Sequence, residues 1–120
     1  MSKKRIENYI PKALSVLDSE FPTKIIPSAY NGYISSFGAS VMQSGLKPTL
    51  ALFENTQAQT KEDKSFLTKL ILKILNPNAK ETSLLRYVLS KPNEETLLKN
   101  EILDISIALK LSIRTFKLER

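Results

Sequence analysis

The sequence predicts an all-α protein, a compact single-domain bundle of about five to six helices with a long C-terminal helix. Three observations predict it. Apolar residues recur at three- and four-residue spacing through most of the 120 residues. No hairpin dipeptide or sustained two-residue alternation suggests a sheet. The six prolines fall mostly between the periodic stretches, where they act as punctuation. A chain of this length fits one domain, residues 1–120, and can bury roughly two thirds of its unfolded surface around one core.

The first helix is expected from Arg5 to Phe21, because Ile6, Ile10, Leu14, Leu17 and Phe21 share one face. Pro11 interrupts it without changing the apolar phase, which predicts a kink or a late start. Residues 1–4 read as a flexible basic tail. From Phe21-Pro22 to Ile26-Pro27 the chain is expected to be extended, since a residue before proline is biased away from helix. Tyr33, Phe37, Val41 and Met42 then mark a helix that stops at Gly45, where only glycine enters a left-handed conformation without a Cβ clash. Pro48 suits the first turn of the next helix, and Leu50, Leu52 and Phe53 supply its apolar contacts. The product is a helix–Gly–Leu–x–Pro–helix corner between about Ser28 and Asn55.

A polar loop is expected over Asn55 to Thr60, and Thr60 with Asp63 resembles a capping pair for the helix that follows. Phe66, Leu67, Leu70, Ile71, Ile74 and Leu75 give that helix a wide apolar face, and Asn76-Pro77-Asn78 ends it. A short helix is expected over Ser83 to Leu89. Pro92 and Asn93 open the last one, with Glu94 and Glu95 in the first turn where the dipole favours negative charge. Leu98, Ile102, Ile105, Leu109, Ile113 and Phe116 predict a buried stripe of about five turns.

Composition removes several functional classes. With no cysteine and no histidine, thiolate chemistry, disulfides and the commonest general base and metal ligand are all missing. No cofactor, metal site, small-molecule substrate or catalytic residue is expected, and no glycine-rich phosphate loop is present. Glu101 and Asp104 share a helix face and could form half a metal site, but no second half is evident, so they read as a solvated face. The most apolar helix, Phe66 to Leu75, carries Lys69 and Lys73 and is far too short to span a membrane. The basic start lacks the apolar core of a secretion signal. A cytoplasmic location is expected.

The net charge is +6, with +2 in residues 1–60 and +4 in residues 61–120. That excess permits a polyanionic partner and is also common among ordinary proteins. Lys110, Arg114 and Lys117, spaced by four and three, are expected to line one stripe of the last helix, continued backward by Leu103 and Ile107. The dipole alone favours cations there. Lys69 and Lys73 repel mildly across one turn. Tyr30, Tyr33 and Phe37 at helical spacing read as core before they read as a base-stacking platform.

The corner carries a resemblance. A small-residue apolar run, then Met42 to Leu46, then Thr49 to Phe53, resembles the small α-helical subunit of the Cmr complex, the type III-B CRISPR effector. Lys12-Ala13 in the first helix, and the run from Glu101 through Ala108-Leu109 to Arg114 and Phe116, are similar to the same family. The chain departs from it at Phe37-Gly38-Ala39, where a proline is frequent, and in lacking a Trp in the last helix. The resemblance implies a non-catalytic subunit in antiviral defence that lines up with copies of itself and other Cmr subunits and helps hold guide RNA paired to target RNA.

On that implication Lys110, Arg114 and Lys117 are the first candidates for phosphate contact, with Lys12, Lys47 and Lys73 behind them. The alternative is a helical adaptor without RNA contact, docking through Leu103, Ile107 and Leu111. A helix-turn-helix DNA reader is disfavoured, because Pro48 to Asn55 has almost no side chain able to read base edges. A small nuclease is the weakest reading.

Overall fold

The computed structural model describes residues 2–55 and 60–120. Six α-helices run through them: α1 (Lys3–Glu20), α2 (Ala29–Ser44), α3 (Leu46–Phe53), α4 (Lys64–Leu75), α5 (Leu84–Leu89) and α6 (Glu95–Ile113). The Cα radius of gyration is 13.4 Å, against about 13.6 Å for a compact domain of this length. The polar loop expected over Asn55 to Thr60 lies largely outside the described residues.

The helix ends follow capping chemistry. Ser2 caps α1 by accepting the Arg5 N–H, so Lys3 and Lys4 stand in the first helical turn rather than in a tail. Pro11 sits on the exposed side of an unbroken helix, where water can reach the carbonyl that its missing N–H leaves free. Asp63 alone caps α4: its Oδ1 accepts from the Ser65 N–H and from the Ser65 hydroxyl. The Thr60 hydroxyl instead donates to the Glu62 carbonyl. Ser83 caps α5, and a single 3-10 turn, Pro92–Glu94, leads into α6.

Gly45 makes the joint between α2 and α3 with φ 94° and ψ 165°. The φ is positive as expected, but the ψ is extended rather than helical, a region reserved for glycine. The Gly45 N–H closes α2 on the Val41 carbonyl, and its own carbonyl accepts from Thr49.

Not every expectation holds at the end of the chain. A sheet exists: β1 (Ile25–Pro27) pairs in parallel with β2 (Lys117–Glu119), Ile26 opposite Leu118. Of the stretch Phe21–Pro27, expected to be extended throughout, only Ile25–Pro27 is: Pro22 to Lys24 turn, with Lys24 at φ 65° and its N–H donating to the Phe21 carbonyl, before the C-terminal residues join the strand. The last helix also stops at Ile113, not at Phe116. Thr115 and Phe116 donate to Ser112 and Ile113 in a tight turn, which sends Lys117 to the Lys24 carbonyl.

α6 is the central rod, packed against α1, α2 and α4. Ile102, Asp104, Ile105, Ser106, Ala108 and Leu109 are all buried, more than one face, as a helix surrounded on several sides requires. Phe37, Leu17, Ile26, Leu50, Leu67 and Ile71 fill the space around it. Phe21, Tyr30, Tyr33 and Phe66 form an aromatic cluster with ring centroids 5.8–6.3 Å apart. Tyr30 and Phe37 are therefore core. Met42 and Leu52, expected to face inward, are 68 % and 56 % exposed.

Candidate interaction surface

The α1–α6 seam sets the position of every surface feature on α6. Asp104 is fully buried and bonded: Arg5 Nε lies 2.6 Å from Oδ2, and the Ser2 N–H donates to Oδ1 at 3.3 Å. One turn away, the Tyr9 hydroxyl donates to Glu101. Burial first, and then the Glu101 carboxylate, pushes that hydroxyl up from its ordinary value. The pair read as a solvated face is thus a structural anchor. The misreading has a plain cause: Arg5 stands 99 residues from Asp104, and no local pattern links them. Among the described residues no three carboxylates gather as a metal would require.

Lys110, Arg114 and Lys117 do not form one helical stripe, because α6 ends between the first and the second of them. Lys110 is half-buried in the last turn of α6. Arg114 caps the helix, is exposed, and donates from Nε to Asn31 Oδ1 at the start of α2. Lys117 is exposed on β2, beside a hollow that Lys24, Asp18 and Phe116 share. Arg114 and Lys117 still sit at one end of the molecule, where the turn after α6 and the strand pair meet. Lys24 and Arg120 join that end, and sequence reasoning missed both; only the strand pairing brings them there. Asp18 holds Lys24, and Glu119 stands beside Arg120.

The remaining cations are elsewhere. Lys12, on α1, stands 5.4 Å above the Tyr9 ring. Lys47 pairs with Glu95 at 2.8 Å, and Lys73 pairs with Glu20 at 3.2 Å, which relieves its repulsion from Lys69. Both pairs are exposed, worth about 0–1 kcal/mol each, so a phosphate can compete for either lysine.

The candidate docking residues do share a face. Leu103 and Ile107 are half-buried and line an open cleft of about 400 Å³ between α6 and α2, with Met42 on the α2 side. Leu111 follows one turn later and is 45 % exposed. Gly38 and Ser106 face each other where the two helices meet, and a Cβ on Gly38 would make only an ordinary contact with the Ser106 Oγ, at 3.9 Å.

Fold and surface together define a small all-α protein whose distinguishing features, an apolar cleft and a cationic end, lie on its outside. The Cas_Cmr5 family of CRISPR-associated proteins matches residues 1–112, and the chain belongs to it, which makes it a small component of the type III-B Cmr complex. The resemblance carried by the corner and the first and last helices thus holds. No curated protein and no solved structure matches the chain. No helix is long and apolar enough to cross a membrane.

Proposed function

We propose that this chain is a non-catalytic subunit of the cytoplasmic effector, packing against neighbouring subunits and copies of itself while its cationic end holds the backbone of guide RNA paired to target RNA. The observation that carries the reading is the pair Arg114 and Lys117: both are exposed, and neither has an acidic partner among the described residues. The fold holds their Cα positions, and Lys117, together with the guanidinium N–H groups of Arg114 beyond its bond to Asn31, can meet phosphates. Base pairing between guide and target supplies the sequence specificity.

With about three phosphates neutralised, log affinity falls against log salt with a slope of roughly −2 to −3. Reversing Lys110, Arg114 and Lys117 to Glu leaves helix content intact and weakens retention of target RNA by the assembled complex. Unchanged retention rejects the assignment. The exposed cleft favours a second reading, a protein adaptor without RNA contact. On that reading the charge reversals are harmless, while Leu103→Asp or Ile107→Asp abolishes assembly.

A further inference from the structure

We infer that the α2–α6 cleft is a groove for one amphipathic helix of a neighbouring subunit, a helix with acidic residues at both ends of its apolar face. The inference deepens the neighbour-packing part of the proposed function and rests on it. It starts from the order of residues along α6. Lys99, Leu103, Ile107 and Lys110 are separated by four, four and three residues, so they fall on one stripe. Two apolar side chains occupy its middle and a lysine stands at each end. The twelve residues from Lys99 to Lys110, eleven rises of about 1.5 Å, span about 16 Å of helix, three turns of an incoming helix.

The groove suits a helix in three further ways. Gly38 and Ser106 bring little bulk to the place where α2 and α6 converge, which leaves the cleft about 400 Å³ of open volume. Met42 on the opposite wall is 68 % exposed and unbranched, a side chain that reshapes itself around an incoming residue. Asp104 also reaches the cleft, but its carboxylate is bonded to Arg5 and Ser2 from behind and does not repel an acidic visitor as a free carboxylate does.

Charge decides the kind of helix. Lys99 lines the cleft, Lys110 stands just past it on the same stripe of α6, and neither has an acidic partner among the described residues, so cations bound the apolar floor along the helix. A helix with apolar residues at i, i+4 and i+7, flanked by Asp or Glu, satisfies both parts. RNA satisfies only the lysines and leaves Leu103, Ile107 and Met42 against water.

The test places a photoreactive benzophenone side chain at Met42, an exposed position that leaves the core untouched, in the otherwise intact effector complex. Irradiation followed by mass spectrometry is expected to yield an adduct with a helical segment of another subunit carrying acidic residues on both sides of its apolar face. Lys99→Glu with Lys110→Glu is expected to lower adduct yield roughly fivefold or more at limiting concentration, two rim attractions being turned to repulsions. An adduct to RNA, an adduct to a non-helical or basic segment, or no adduct overturns the inference. Failure of the unsubstituted chain to co-purify with the complex overturns the proposed function itself, a separate outcome read before irradiation.

Discussion

Replacing Arg5 by methionine removes the cation that faces Asp104, a carboxylate with 1 % side-chain exposure. What remains to that carboxylate is the Ser2 N–H at 3.3 Å. Breaking a fully buried pair from one side costs about 3–5 kcal/mol, because the other charge is left uncompensated. Arg5 is 33 % exposed, so water shares in solvating the guanidinium and the lower end applies, about 3 kcal/mol. Asp104→Asn keeps an acceptor for Ser2 and leaves a cation that water can reach, a loss of about 1 kcal/mol. Arg5→Met combined with Asp104→Leu removes both charges and lies within about 1 kcal/mol of the parent. Urea unfolding at constant m-value reads the three differences directly. In a thermal melt, about 3 kcal/mol corresponds to a fall of about 10 °C for a domain of this size. If Arg5→Met loses no more stability than Asp104→Asn, Asp104 is not a buried charge held by Arg5, and the account of the α1–α6 seam is wrong.

Two more perturbations test the fold. Gly45→Ala forces a Cβ into φ 94°, ψ 165° and lowers stability by about 1–3 kcal/mol, although the nearest atom, Pro48 Cδ, would be an unstrained 3.7 Å away; an unfolding midpoint equal to the parent's contradicts the geometry of the corner. The Tyr30 hydroxyl, donating to the Asp63 carbonyl, is pushed up to about 12 by burial and then by Glu62 and Asp63. A raised folded-state value stabilises fully below the unfolded value of about 10 and is lost as pH rises through about 12. Stability measured against Tyr30→Phe is therefore expected to narrow by about 3 kcal/mol between those values, and a pH-independent difference refutes it.

Helix period made most of the fold legible, because each amphipathic face has to find the core. Leu67, Leu70, Ile71 and Ile74 on α4 are buried as read, and so are Leu98, Ile102, Ile105 and Leu109 on α6. Period failed where a partner distant in sequence decides. Phe116 keeps the α6 spacing and packs against the core, yet it does so after the chain has left the helix, because β2 pairs with a strand some ninety residues earlier. Met42 follows Val41 in an apolar run, but only Val41 points at the core. Asp104 was unreadable because its cation lies on α1.

The candidate surface was legible in part. Leu103, Ile107 and Leu111 are in helical phase and do face outward together. Lys110, Arg114 and Lys117 have the same spacing but do not share a helix, since helical phase ends with the helix. Lys47 and Lys73 looked free in the sequence and have carboxylates beside them in the fold, neither predictable from spacing.

The central claim, that this chain is a working part of a CRISPR ribonucleoprotein and holds RNA through its backbone, is tested most directly by affinity purification of the tagged chain from cells expressing the whole effector. The account predicts that guide RNA and other Cmr subunits elute with it, and that reversing Arg114 and Lys117 to Glu depletes target RNA from the eluate while the protein subunits stay. An eluate containing neither RNA nor other Cmr subunits contradicts the account outright; target RNA unchanged in the variant contradicts its assignment of the contacts.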